Sequence, residues 1–194
     1  MSRFDLFTMI HKGLRHALLE LNVQAGRTDY GDSAAVKELQ AAWEGARRSL
    51  GGHSRHEDDY IWPLLAKRSP GEADVLYAEH VEIHAFEAKM DDHLSRLVAE
   101  PDDAVRKVMG LEFYRSMQRF TALCLTHFDD EERKVLPRLW ALCDDEELQG
   151  ALASIMAVID EEERAYEFKH MLESVDPSER ARLQGMAPTA PTTV

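Results

Sequence analysis

Nine histidines are spread over a chain in which 36 acidic residues outnumber 23 basic ones, and several stand at helical spacing from a carboxylate or from each other. His53 and Glu57 are four apart in HSRHE, His127 and Glu131 four apart in HFDDE, and His80 and His84 four apart in HVEIH. Residues i and i+4 lie one turn apart on one helix face, so each HxxxE presents an imidazole and a carboxylate together. The segments HSRHEDDYIWP and HFDDEERKVLP also share a proline six residues after the glutamate. They are an internal repeat of one site, with Pro63 and Pro137 expected to kink or end each helix just beyond it. Imidazoles suit iron, zinc, copper or nickel, and carboxylates able to bridge favour a pair of ions inside a helical bundle. The chemistry indicated is metal binding, and a pair of iron ions fits it best.

Helical phase selects the side chains that face inward. Phe113, Met117, Phe120 and Cys124 form an apolar stripe that continues through His127 and Glu131. Leu39, Trp43, Ala46 and Leu50 form another, running on through His53 and Glu57 to Tyr60 and Leu64. His80 and His84 share an arc with Leu76, Ile83, Met90, Leu94 and Leu97. His11 joins Phe7, Ile10, Leu14, Leu18 and Leu21, whereas His16 lies nearly opposite them. The candidate ligands are therefore His11, His53, Glu57, His80, His84, His127 and Glu131. Glu132 competes with Glu131, but the stripe and the repeat favour Glu131. Burying five imidazoles and two carboxylates without a cation costs several kcal/mol for each unpaired charge, and a metal centre removes that cost. Tyr60, one turn beyond Glu57, reads first as a packed core residue and second as a ligand or hydrogen-bond donor. His56, His93 and His170 read as surface or boundary residues, and Asp58, Asp130 and Glu161 to Glu163 as solvated charges.

The elements that must position these residues are helices. A first helix is expected over roughly 3–25, closed near Gly26, and a second over about 34–68, capped by Asp32 or Ser33. The break SPGEAD precedes a third over about 72–99, and PDD at 101–103 opens a fourth that ends near Cys143. Short connections between four helices predict an all-α, up-down-up-down four-helix bundle over residues 1–144. Residues 145–185 read as one or two amphipathic helices, a C-terminal extension packed on or beside the bundle, and 186–194 as a disordered tail.

Composition bounds the remainder. A chain of 194 residues and 22.1 kDa builds its own core, so a metal would serve function and not folding alone. A net charge of -13 argues against a nucleic acid or an anionic membrane surface as partner. Cys124 and Cys143 form no CxxC pair and read as core thiols of a reducing compartment. No stretch approaches the roughly 20 apolar residues of a membrane span, and Asp5 interrupts the N-terminus before signal-peptide length, so a soluble cytoplasmic protein is expected.

A ferritin-like di-iron site needs two ExxH motifs, and the one present, Glu167 to His170, lies outside the four main helices; HExxH is missing as well. The sequence instead resembles the hemerythrin family, particularly bacterial hemerythrin-like HHE cation-binding proteins, over roughly residues 5–143. The resemblance rests on His11 in HKGLR, His53 and Glu57 in HSRHE, His80 and His84 in HVEIH, and His127 and Glu131 in HFDDE. It implies two iron ions joined by an oxo or hydroxo bridge, with another divalent metal such as zinc as the alternative. One coordination position would stay open for a small diatomic ligand or peroxide, shielded by Trp43, Leu50, Tyr60, Met90 and Phe120. Hemerythrins proper carry HxxxxD in the last motif. HxxxE in both carboxylate helices resembles the subgroup that includes iron-responsive regulators and bacterial stress proteins. The functions implied are an O2, NO or peroxide sensor, scavenger or store; a catalase- or peroxidase-like enzyme; or an iron-responsive module acting on a protein partner, or forming a homodimer, through 145–185.

Overall fold

A computed structural model describes residues 3–186, whose regular elements are all helices, with no strand among them. The expected disordered tail lies, beyond Met186, outside the described residues. The helices are α1 (Thr8–Arg27), α2 (Ser33–His56), α3 (Trp62–Arg68), α4 (Glu72–Ala99), α5 (Asp103–Asp130), α6 (Leu136–Leu142), α7 (Asp145–Val158), α8 (Glu161–Ser174) and α9 (Pro177–Met186). Aspartates start several of them by accepting otherwise orphaned backbone N–H groups. Asp32 accepts from Ala34, Asp102 from Ala104 and Val105, and Asp160 from Glu163. Asp144 and Glu147 form a reciprocal capping box at α7. Gly71, at φ 88°, supplies the left-handed turn into α4 that a side chain would resist.

At two joints the helix runs on through a π turn. Single π turns, Glu57–Ile61 and Glu131–Val135, connect α2 to α3 and α5 to α6, and in each the bond runs from residue i to i−5, Trp62 N–H to Glu57 and Leu136 N–H to Glu131. Pro63 and Pro137 follow at the start of the next helical segment, where a missing N–H costs least. The extra residue shifts the phase beyond each glutamate. Ile61 and Leu65 are buried where the unbroken stripe expected Tyr60 and Leu64, and Tyr60 is only half-buried.

The inward faces form two apolar clusters. One holds Leu14 and Leu18 of α1, Ala46 and Leu50 of α2, Ile83 of α4 and Phe120 and Cys124 of α5. The other holds Phe7, Ile61, Trp62, Leu76, Val135 and Leu139. On each helix the candidate ligands fall between the residues given to the two clusters, so the polar side chains occupy one layer with apolar packing on both sides. The extension forms three helices, not one or two, because Asp160 caps a fresh start at α8 in addition to the break at Asp176. α8 lies along α1 so closely that a Cβ on Gly13 would stand 2.9 Å from the Met171 side chain and 3.0 Å from its backbone nitrogen. No helix among the described residues is long and apolar enough to cross a membrane.

Candidate metal centre

Four helical segments contribute to the polar layer: α1 its first turn, α4 its start, and α2 and α5 their ends with the π turns that follow. His11, His53, Glu57, His80, His127 and Glu131 converge there, with none more than 7% exposed. Their donor atoms form two quartets, His11, His53, Glu57 and Glu131 on one side and His80, His127, Glu57 and Glu131 on the other. Each glutamate gives one oxygen to each quartet. Glu57 Oε1 is 3.2 Å from His53 Nε2 and Oε2 is 3.3 Å from His80 Nε2, while Glu131 Oε2 is 3.3 Å from His11 Nε2 and Oε1 is 3.0 Å from His127 Nε2. The ring nitrogens also face one another, His11 to His53 and His80 to His127, each pair at 3.1 Å.

This layer fits a cation better than it fits itself. Both oxygens of Glu57 and both of Glu131 are buried without a hydrogen-bond partner among the described residues, which is costly unless a positive charge satisfies them. Donors sharing one shell at bonds of about 2.1 Å stand roughly 3.0–3.4 Å apart, as most of these do. Without a cation the side chains oppose their own ionisation. Burial, and then the charge of Glu131, drives Glu57 well above the usual carboxylate range. Burial and the neighbouring imidazoles hold His53 well below the ordinary histidine value. At His127 burial acts downward, but Glu131 and Glu57, with a hydrogen bond to Glu79, outweigh it and raise the imidazole to about 9.

Outside the layer, carboxylates hold three of the four imidazoles by their far nitrogens. His11 Nδ1–H donates to Glu132 Oε1 at 3.0 Å, His80 Nδ1–H to Asp58 Oδ1 at 2.7 Å, and His127 Nδ1–H to Glu79 Oε2 at 2.9 Å. Such bonds fix the tautomer that turns the Nε2 lone pair toward a metal. Arg15 donates to the same Glu132 oxygen. Although burial acts against it, the bonds from His11 and Arg15 hold Glu132 down at about 2. Glu132 thus supports His11 while Glu131 lies at the centre.

His84 is brought into neither quartet. Its side chain is 42% exposed and its Nδ1–H donates to Glu87 Oε2 at 2.8 Å. His84 stands at the margin of the buried face of α4, which runs through Leu76, His80, Ile83 and Glu87, and its ring turns toward solvent. Several residues that sequence spacing set at the surface have other roles. Asp58 holds His80. His56, Glu163 and His170 are buried, and His93 Nε2–H donates to the Met109 carbonyl. Phase also overlooked Trp62, whose ring lies 5.9 Å from that of His80 and whose buried Nε1–H has no acceptor among the described residues. A signal for the supporting carboxylates was present, because an acid follows the glutamate in both halves of the repeat, Asp58 after Glu57 and Glu132 after Glu131. Of the expected shield, Trp43, Leu50, Met90 and Phe120 are core residues, and Tyr60 is not.

The fold and this layer define a helical protein with a buried histidine and carboxylate cation site. The family model of the hemerythrin HHE cation binding domain matches residues 2–139, and the chain belongs to that family. Neither the curated proteins nor the solved structures give a match to the chain. Helices α7 to α9 lie beyond the matched residues.

Proposed function

We propose that the chain is a non-haem di-iron protein, an up-down-up-down four-helix bundle over 1–144 with the extension at 145–185, that binds O2, NO or peroxide as a sensor, scavenger or store. The observation that carries this reading is the sharing of Glu57 and Glu131 between two quartets, each completed by two imidazoles. Two shared carboxylates hold a pair of ions at a fixed spacing. Four imidazoles and two bridging carboxylates fill about eight of roughly twelve positions around two six-coordinate ions, which leaves more room for solvent and exogenous ligand than a fifth histidine would. A pair of iron ions would supply a redox couple and the exchangeable position.

The protein's own residues do the rest. Asp58, Glu79 and Glu132 orient imidazoles, the apolar clusters on either side keep bulk water out, and Trp62 offers a buried N–H donor beside His80. A cavity of about 1040 Å³ between α2, α4 and α8 is lined by Gly51 and Gly52, which immediately precede His53, and by none of the six converging residues. Two carboxylates stabilise high-valent iron less than a carboxylate-rich set does, so binding is expected to predominate over substrate oxidation.

A second reading, an iron-responsive module, draws on the seating of α8 against α1, the helix that carries His11. Metal analysis of protein purified from iron-supplied cells, with optical spectra before and after reduction and re-exposure to air, tests both. Iron near two per chain with spectra that respond to O2 or NO supports the proposal. Steady O2 release on adding peroxide makes the protein a catalase instead, and a single tightly bound zinc ion, or no metal, overturns the di-iron reading.

A further inference from the structure

A second convergence of donors lies outside the layer, between α1 and α8. His16 Nδ1 and His170 Nδ1 face one another at 3.2 Å, and two carboxylates flank them, Glu20 four residues after His16 and Glu173 three after His170. Glu20 Oε2 stands 3.9 Å from His16 Nδ1 and 3.7 Å from His170 Nδ1; Glu173 Oε2 stands 3.8 Å from both. The four donor atoms lie within 4.8 Å of one another, and a tetrahedral shell with bonds of about 2.0–2.1 Å puts its ligand atoms roughly 3.3–3.4 Å apart, so an inward movement of the two exposed carboxylates closes them on one ion. Two neutral imidazoles and two carboxylates carry the charge that a divalent cation cancels. Among the described ion pairs neither Glu20 nor Glu173 meets a lysine or arginine; both point at the histidines.

The two helices are set for this contact. Gly13 lets the backbone of α8 at Met171 lie directly on α1, which brings His170, the preceding residue, opposite His16. The buried side of the cluster is His170, 5% exposed, and the two carboxylates close it toward solvent. The first turn of α8 is fastened differently, by Arg48 on Asp160 and Glu162.

We propose that His16, Glu20, His170 and Glu173 form a separate mononuclear site for a divalent transition cation of zinc type, which ties the C-terminal extension to α1. The site is independent of the buried centre and uses residues beyond the family match, since His170 and Glu173 lie past residue 139. Its occupancy holds α8 against α1, five residues along from His11. Without the ion the end of α8 relies on packing and on whatever protons the two imidazoles share.

The test compares full-length wild type with His16→Asn/His170→Asn and with Glu20→Gln/Glu173→Gln, each equilibrated with Zn2+ and analysed for metal per chain. Wild type is expected to hold about one more zinc ion than the histidine variant. The glutamate variant, altered only at exposed groups, is expected to bind that ion roughly tenfold or more weakly. Zinc is expected to slow amide hydrogen exchange across Glu161–Ser174 in wild type and in neither variant. Equal zinc content in wild type and both variants, or equal slowing of exchange, overturns the proposal. The readout is a difference, so it stands whatever the buried centre holds.

Discussion

Glu57→Gln is expected to stabilise the metal-free protein while abolishing its stabilisation by iron. Glu57 and Glu131 place oxygens within 4.8 Å of one another in a layer that is almost fully buried. At an effective dielectric constant near 20, two unit charges at that distance repel by about 3.5 kcal/mol. Proton uptake by Glu57, whose carboxyl is already driven upward, relieves part of this, and about 1–2 kcal/mol is left for the substitution to release at pH 7. Glutamine preserves volume, so no cavity offsets the gain, its amide can donate to Glu131, and Glu131 keeps its pairing with His127. For a chain of this length the melting temperature of chelator-treated protein should rise by roughly 3–6 °C. Iron at a hundredfold excess over its Kd stabilises wild type by about 2.7 kcal/mol, or roughly 8 °C, and should do so little in the variant, which lacks the shared oxygen pair. Calorimetric scans of both proteins with and without iron decide it. A Glu57→Gln protein that melts below wild type without metal, or that iron stabilises equally, would show that these carboxylates are not held together against their charge.

The metal-free protein should also lose stability as pH rises from 6.5 to 9. His127 is raised to about 9 in the fold against about 6.5 unfolded, so its contribution, roughly 3 kcal/mol, is complete below 6.5 and gone by 9. Glu57, raised as well, acts in the same sense from its unfolded value upward. His53, which is lowered, acts oppositely but only below 6.5; a flat melting profile over pH 6.5–9 in chelator would refute the assignment. His84→Ala should leave metal content unchanged while His80→Ala removes at least half, by elemental analysis, and equal losses would return His84 to the ligand set. Metal should leave in two steps under a chelator, the ion held by His11 and His53 first by roughly 10–100-fold in affinity, because His53 Nδ1 meets no carboxylate among the described residues while Nδ1 of His80 and of His127 both do. A single-step release, followed optically, counts against that asymmetry.

Much of this was legible from phase. Boundaries such as Glu72–Ala99 follow from Gly71 and from Glu100 before Pro101, and six of the seven candidate ligands meet because each continues an apolar stripe. The rest fails where a stripe stops being a sufficient description. His84 lies about 40° around α4 from His80, at the margin of the inward arc, and there it is exposed. Tyr60 has the right angle only if the helix stays α-helical, and one π turn after Glu57 rotates Ile61 and Trp62 inward in its place. Asp58, Glu79 and Glu132 were unreadable as single positions, because each acts on an imidazole from a different helix.

The supporting carboxylates expose a symmetry that the ligands alone only suggest. Glu57 followed by Asp58, which holds His80 of α4, mirrors Glu131 followed by Glu132, which holds His11 of α1. The repeat therefore duplicates a metal half-site together with a clamp on the helix that completes it. The mirror breaks at one place. Glu79, just before His80, holds His127, whereas the residue just before His11 is Ile10, which packs with the apolar cluster and has nothing to offer His53. One half-site thus has both imidazoles clamped by carboxylates at Nδ1, and the other has one clamped and one, His53, without such a clamp among the described residues. Under the di-iron proposal, an exogenous ligand that needs a position to open would enter on the looser side, while the tighter half would keep the second ion in place.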